Sequence, residues 1–560
     1  MELSQRAKEM NPLGVCIHGG PDTPKYDRDI PRYLELNPHI DILVHGEGEA
    51  TFVNILDKLR NRLPESSRDL NVLADVPGLT YRIGEKYTTT AARDRLPDLD
   101  ILPSPYLNGL FDNIGNLPIL MQTIETNRGC PFGCTFCDWG SATLTKIRKF
   151  DLERVFAELE WCAKNKVKTV FSADANFGVF DHDVDIARKV VELKKQYGYP
   201  KIFESSYAKN QVKHLKKIVE IFAEAEVVSV GTLSLQSVSP ETLAAIKRSN
   251  IKVSKYDELA VEFSKAKLPL IVEMMMGLPG STVESFEGDL QQAIDREVQA
   301  RVNPTEILVN SPMNEPDYFG EFDIKLSRPL EDDWKSEHAQ TSIEKALIIA
   351  TSSFSTDDYE QMHRRRSLFF LCENYGVLRQ IARFVRYESG IREIDFYRTL
   401  DEEVRAHPTR WPTISFTLGC LKEIMVPPGS WRLFIDEIRD YLVSKLGIAD
   451  DSSLDTVLQV QHTMLPSRDR VFPLHIALNH DYAQWYACML ESKQAGWQQD
   501  WTKEVKPLRE FGPASFTVED SQQLTVLGMG TPIYSDPDCD WEFKSPIGRP
   551  LRYRREAKLH

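Results

Sequence analysis

Cys130, Cys134 and Cys137 stand within eight positions of one another in ETNRGCPFGCTFCDWG, residues 125–140. Three thiolates so placed can fold around one centre, because even the extended chain between the outer pair spans only about 25 Å and a loop much less. Gly129, Pro131 and Gly133 supply the turns. A structural zinc ion needs four closed ligands, usually two separated cysteine pairs, and no second C-x-x-C or histidine pair follows. Iron–sulfur cubanes are also held by thiolates, normally four. Three leave one iron without a protein ligand, and an open position is what a catalytic metal site needs to take hold of a substrate or cofactor.

Positioning such a loop is the task of the elements around it. The cysteines directly follow the apolar run ILMQTIET, so they lie in the loop at the C-terminal end of a predicted strand. In barrel-like α/β folds active sites sit there. Further candidate strands are KTVFSA, KIFESSY, VVSVGTLSL, PLIVEMMMG and TEILVNS, with amphipathic helices between them. Leu152, Val155, Phe156, Leu159, Cys162 and Ala163 recur at helical spacing, as do Leu215, Ile218, Val219 and Phe222. About six strand–helix units predict a parallel sheet closed into a partial (β/α)6 TIM-like barrel over residues 118–330. Before it, residues 1–66 hold two short apolar runs ending in glycine, LGVCIHGG and DILVHGEGEATF, an α/β pattern. Residues 67–117, richer in Pro, Gly and Thr, read as a hairpin and linker, and residues 331–560 as a mainly helical region expected to cap the substrate.

Composition narrows the class. The 560 residues are 42% hydrophobic and 27% charged, with a formal charge of −15 and nine cysteines. That balance does not favour a nucleic-acid binder. No run is long enough to span a membrane, and MELSQRAKEMNP lacks a signal-peptide core, so the expectation is a cytoplasmic protein. An odd cysteine number in a large chain fits a reducing compartment rather than a disulfide framework.

The C-x3-C-x2-C spacing, with Phe136 before the last cysteine, resembles the signature of the radical S-adenosylmethionine (SAM) enzymes. The resemblance implies a [4Fe-4S] cluster on Cys130, Cys134 and Cys137 whose open iron chelates SAM. Reductive cleavage of SAM would then give a 5'-deoxyadenosyl radical that abstracts a substrate hydrogen. It further implies that Asp174, Asn176 and Gly178 in SADANFG lie where the family binds the methionine amino group. Glu204 and Ser206, with Lys209, would serve the ribose and carboxylate. Ser234 and Gln236 would face the pocket, and the turn carrying Gly277, Pro279 and Gly280 would support the adenine. An external electron donor of flavodoxin or ferredoxin type is implied, because no second cluster motif or flavin site is evident.

HGGPDTP, NPHIDILVHGEGEATF and PSPYLNG resemble a narrower group, whose members carry an N-terminal Rossmann-like cobalamin-binding domain. The resemblance implies that Gly19 and Gly20 let the backbone approach the corrin and that Gly46, Glu47, Gly48 and Glu49 lie near its edge. The chain departs from the group's pattern: the full domain has about five strands, and this sequence opens just before what looks like the fourth. No D-x-H-x-x-G motif supplies a lower-ligand histidine. Three readings follow: a second polypeptide supplies the other half, the fragment binds cobalamin weakly, or it is a structural remnant packed on the barrel. A two-stranded remnant would expose sheet edges that something must cover. With cobalamin, the resemblance implies methyl transfer to an unactivated carbon. Without it, the same core would run a rearrangement or cyclisation, or the chain would be a non-catalytic cluster- or SAM-binding subunit. The small-molecule substrate is not legible. Cys162 and Cys372 read as core, and Trp139 as packing or shielding beside the cysteines.

Overall fold

The computed structural model describes residues 2–60, 69–111, 119–138, 145–207, 213–225, 227–250, 253–265, 270–334, 346–420, 430–465, 471, 473–496, 500–519, 541–544 and 550–555. The chain opens with helix α1 (Glu2–Met10), strand β1 (Ile17–His18), α2 (Ile30–Leu36), β2 (Ile42–Val44) and α3 (Gly48–Leu59). β1 and β2 run parallel. A hairpin, β3 (Leu79–Ile83) and β4 (Lys86–Thr89), then pairs antiparallel with β2. The stretch read as a connector therefore extends the first sheet and covers one edge of the two-stranded fragment. Ile42, Val44, Ile55, Leu73 and Leu79 form its core.

The central sheet has six parallel strands: β5 (Met121–Ile124), β8 (Thr169–Phe177), β9 (Ile202–Tyr207), β10 (Val228–Gln236), β11 (Leu270–Met276) and β12 (Gln299–Pro304), neighbours in that order. The two-residue strands β6 (Asn127–Arg128) and β7 (Arg148–Lys149) pair antiparallel between β5 and β8. Helices α4 (Leu152–Lys164), α5 (Asp181–Tyr197), α6 (Lys213–Glu224), α7 (Pro240–Ala245), α8 (Val253–Lys265) and α9 (Val283–Asp295) alternate with the strands. Of the predicted stripes, Val155, Leu159, Cys162 and Ala163 of α4, and Leu215, Ile218, Val219 and Phe222 of α6, are buried, while Leu152 and Phe156 are half-buried against the core.

Register separates the two faces of the sheet. Val170, Phe203, Val272, Ala300 and Val302 are completely buried under helices. Residues of opposite parity share the other face: Glu204 pairs with Val230 and Phe171, Ser206 with Thr232, Ser234 with Glu273, and Glu273 with Arg301. One expected strand is displaced. The sixth strand is QARVNP, whereas TEILVNS lies beyond its end, with Glu306 bridging antiparallel to Leu347 and the Ile307 N–H donating to Ala346 O. Ile307 and Val309 are buried, but as anchors of a loop, and short apolar runs do not by themselves distinguish these cases.

Downstream, α10 (Pro316–Phe322) precedes the antiparallel pair β13 (Lys325–Leu326) and β14 (Ile348–Ala350). There follow α11 (Thr356–Phe369), α12 (Arg379–Ser389), α13 (Glu393–Ala406), α14 (Pro412–Gly419), α15 (Trp431–Leu446), α16 (Ser452–Met464) and α17 (Tyr482–Ala495). Leu474–Leu478, Ala514–Glu519, Trp541–Lys544 and Pro550–Arg555 form a small antiparallel sheet. No helix among the described residues is long and apolar enough to cross a membrane.

Glu297, in the turn after α9, joins this region to the barrel. It accepts from Arg383 Nε at 2.6 Å and Nη2 at 3.0 Å, from Lys493 Nζ at 2.5 Å and from Tyr486 Oη at 3.2 Å. Burial acts to raise its pKa, but Arg383 and Lys493 overcome it and hold the carboxylate well below the usual range. Arg383 has no exposed surface. Glu297→Ala, leaving that guanidinium short of one partner, is expected to destabilise the protein by ~3–5 kcal/mol. Urea unfolding followed by circular dichroism checks this, and a loss under ~1 kcal/mol would show that Glu373 and Glu393 suffice.

Candidate functional site

The cysteine loop leaves the end of β5 through a neck. The buried Asp174 carboxylate, on β8, accepts from the Thr126 N–H at 2.9 Å, the Asn127 N–H at 3.1 Å and the Thr126 hydroxyl at 2.5 Å. Burial raises its pKa, and those donors pull the other way. β6 and β7 then bring the two arms of the loop together, and the Thr145 N–H donates to Cys130 O at 2.9 Å. Gly129 sits at φ +123°, and a Cβ there would stand 2.7 Å from Lys146 O, so the crossing requires glycine.

Cys130 and Cys134 are buried and Cys137 half-buried. The Asn176 amide donates to Cys130 Sγ at 3.5 Å, and Arg248 Nη1 donates to Cys134 Sγ at 3.3 Å. Thr135 is pinned between them: its N–H donates to Ile246 O at 3.1 Å, and its carbonyl accepts from the Met313 N–H at 2.7 Å. Phe136 packs against the core with the Arg248 guanidinium 5.9 Å from its ring centre. Among the described residues Asn176 Oδ1 is buried with no hydrogen-bond partner. A buried acceptor left open beside Cys130 fits a ligand ammonium group.

The remaining expected residues fall into two sets. Glu204, Ser206 and Ser234 share the face of the sheet turned away from the helices, and Ser234 Oγ donates to Glu273 at 2.7 Å. Gln236, at φ +67°, lies where the register of β10 slips. Asp174 has its carboxylate engaged in the neck, and the Gly178 N–H donates to Asp183 at 2.8 Å. In the turn after β11, Pro279 is buried, Gly277 approaches Ile348 O, and Gly280 lies so close to Glu241 O that a Cβ would stand 2.9 Å from it. Lys209 and Trp139 lie outside the described residues.

Of the N-terminal set, Gly20 and Gly46 have positive φ and face open space, whereas a Cβ on Gly19 or Gly48 would meet the Val44 side chain at 3.4 Å. Glu47 and Glu49 turn toward the barrel. Glu47 accepts from both Arg148 terminal nitrogens, from Arg95 at 3.1 Å and from the Leu96 N–H at 3.0 Å. Glu49 pairs with Arg128 Nη1 at 2.7 Å. Since Arg128 and Arg148 form the β6–β7 pair, the first unit grips the neck of the cysteine loop directly. A cavity of about 710 Å³ opens beside it between α3 and β5, lined largely by apolar side chains such as Phe52, Leu102, Tyr106 and Phe150.

Sequence reasoning missed Arg248, Glu273, Arg301 and Asp183. Glu273 carried a usable signal, a lone charge in the apolar run LIVEMMM at a position whose parity faces Ser234. Arg248 carried none, because its meeting with Cys134 spans 114 residues.

Residues 124–293 match the family model of the radical SAM superfamily, so the chain carries a radical SAM domain. It is 31% identical over 426 residues to the cobalamin-dependent radical SAM methyltransferase TokK of Streptomyces tokunonensis, covering 73% of this chain and 60% of that protein. It is 30% identical over 425 residues to a 2-(S-pantetheinyl)-carbapenam-3-carboxylate methyltransferase of Streptantibioticus cattleyicolor, with the same coverage. The chain thus spans 60% of the length of these relatives. Among solved structures, TsrM of Kitasatospora setae with cobalamin and a [4Fe-4S] cluster gives a TM-score of 0.47 at 15% identity, over 64% of this chain and 72% of that one. OxsB with aqua-cobalamin and SAM gives 0.45 at 13% identity, over 82% and 73%. The radical SAM family implies a [4Fe-4S] cluster and SAM.

Glu47 generates a pH prediction. Burial acts to raise its pKa, but Arg148, the Leu96 N–H and Arg95 bring it down from 4.5 to about 2. A depressed carboxylate pKa stabilises the fold above the unfolded-state value, and that stability is lost as pH falls toward the folded-state value. Glu47→Gln is expected to cost ~1–2 kcal/mol at pH 7, after discounting for solvent screening. The gap from wild type should narrow below pH ~4.5. Denaturation of both proteins across that range is the measurement, and equal stability at pH 7 would refute the contribution of Glu47 to holding the first unit on the neck.

Proposed function

We propose that Cys130, Cys134 and Cys137 hold a [4Fe-4S] cluster and that the chain is a radical SAM enzyme transferring a methyl group to carbon with the help of cobalamin. The observation that carries the first half is the three-cysteine loop at the end of β5, with the open Asn176 Oδ1 acceptor beside Cys130. When bound, the cluster and SAM supply a 5'-deoxyadenosyl radical able to take hydrogen from an unactivated C–H bond.

The chain's own residues bind and orient. Asn176 would accept from the SAM ammonium while its amide donor stays on Cys130. Glu204 and Ser206 suit ribose hydroxyls, since a carboxylate accepts and a hydroxyl does both. The Gly277–Gly280 turn, held against α7 and β14, would offer the adenine a rigid backbone edge. Asp174 acts through the neck, keeping the lead into the cysteines in place, so we assign it a positioning role rather than contact with SAM. An external electron donor of flavodoxin or ferredoxin type would deliver the electron.

The names of the two relatives motivate methyl transfer with cobalamin. The residues present fit that cofactor in part. The backbone at Gly20 and Gly46 has no neighbouring atoms where a side chain would stand, and the 710 Å³ cavity between α3 and β5 gives a second small molecule space at the neck of the cysteine loop. Glu47 and Glu49 are committed to arginines and would not contact a corrin. When bound, cobalamin would carry the methyl group delivered to the substrate carbon.

Anaerobic reconstitution should give about four irons and four sulfides per chain and a cubane electron paramagnetic resonance signal that changes with SAM. Cys134→Ala should lose the signal and 5'-deoxyadenosine formation together. A wild-type protein that takes up no cluster, or holds zinc, ends the reading. Hydroxocobalamin titration followed by absorbance tests the second half. No spectral change at saturation would leave hydrogen abstraction without methyl transfer.

A further inference from the structure

We propose that Arg248 raises the reduction potential of the centre held by the three cysteines through a charged hydrogen bond to the Cys134 sulfur. This rests on the cluster reading and adds a residue to it that acts with or without SAM. Arg248 is only 6% exposed. Its guanidinium is fixed on three sides: Nη1 donates to Cys134 Sγ at 3.3 Å, Nη2 to Ser234 O, and Nε to Asn250 Oδ1 at 2.8 Å. Asn250 is itself held, its amide donating to Leu235 O at 2.9 Å and Ser237 O at 2.8 Å. The arginine is therefore carried by the end of β10 and the segment after α7, apart from the loop it touches.

The anomaly is electrostatic. Buried guanidinium groups are normally paired with a carboxylate, as Arg383 and Arg365 are here. No carboxylate among the described residues stands within ion-pair distance of Arg248. Its neighbours are a carbonyl, an amide, an aromatic ring and the Cys134 sulfur. A neutral thiol is a poor partner for a buried cation, whereas a metal-bound thiolate supplies the missing negative charge. The opposite cysteine is treated differently: among the described residues the Cys130 sulfur receives the neutral Asn176 amide, at 3.5 Å.

The consequence concerns electron uptake. With a cluster bound, one electron from an external low-potential reductant would take it from the 2+ to the 1+ state with no bond or proton moving, since arginine keeps its charge throughout. Hydrogen bonds to the sulfurs and nearby charge set cluster potentials. A fixed cation at a ligand sulfur favours the more negative, reduced state, so its removal must make the cluster harder to reduce.

The test is a potentiometric titration of the full-length, anaerobically reconstituted protein without SAM, read by electron paramagnetic resonance beside iron and sulfide analysis. Arg248→Gln should keep its cluster, and its reduced fraction at a fixed potential should fall about tenfold, a shift of about −59 mV for one electron. Arg248→Lys should lie between it and wild type. Should Arg248→Gln hold no cluster, Asn250→Asp carries the test, since it leaves the arginine in place and sets a carboxylate against Nε; the same downward shift is expected. A wild-type potential in Arg248→Gln, or in Asn250→Asp where that variant decides, overturns the proposal. SAM is absent throughout, so a guanidinium that serves only to bind SAM would leave the potential unmoved. A wild-type protein without a cluster would instead sink the functional reading beneath it.

Discussion

The Asp174 carboxylate, buried on the second strand of the barrel, is the interaction on which the site depends. A carboxylate taken out of water costs several kcal/mol unless donors replace the lost hydration. Here the donors are the Thr126 N–H and hydroxyl and the Asn127 N–H, the residues that lead into the cysteine loop. The need to satisfy one buried charge therefore fixes where the first strand ends and where the loop begins. Gly129 follows at once, in the conformation that lets the two arms of the loop cross.

The flanking units are attached by the same physics. Glu47 brings the N-terminal sheet onto Arg148 of the neck, and Glu297 brings α12 and α17 onto the barrel through Arg383 and Lys493. Each junction is a carboxylate in little-exposed surroundings among cations, with neighbouring donors filling its remaining lone pairs. Such junctions contribute less net stability than their Coulomb attraction suggests, but they are intolerant of losing one partner. That intolerance fixes orientation. The N-terminal unit meets the barrel at the neck of the cysteine loop, so its placement and that of the thiols are mechanically linked.

Around the thiols the structure is uneven in a way that bears on chemistry. Asn176 on one cysteine is neutral and, among the described residues, has an acceptor to spare, while Arg248 on another is charged and meets no carboxylate among them. The sheet face beyond them carries Glu204, Ser206, Ser234, Glu273 and Arg301 among apolar residues such as Phe171 and Ile271, aligned by register. The polar members give that face hydrogen-bonding capacity for a polar cofactor.

From the amino-acid sequence alone come the three cysteines, the succession of strands and amphipathic helices, and the alternation that sets Ser234 apart from Leu233 and Leu235, although the register slip after Ser234 takes Gln236 out of that pattern. These are local properties: spacing within a loop, a period of 3.6 and a period of 2, each readable in a window of a few residues. It also showed the N-terminal glycine turns, but not that the later hairpin covers the fragment's edge, nor that the sixth strand is QARVNP rather than TEILVNS. Only the tertiary structure decided that Asp174 grips the neck, that Glu47 and Glu49 are taken by arginines, and that Arg248 reaches Cys134. Those outcomes depend on which buried charge meets which donor across tens to more than a hundred positions, and no local window of sequence contains both partners.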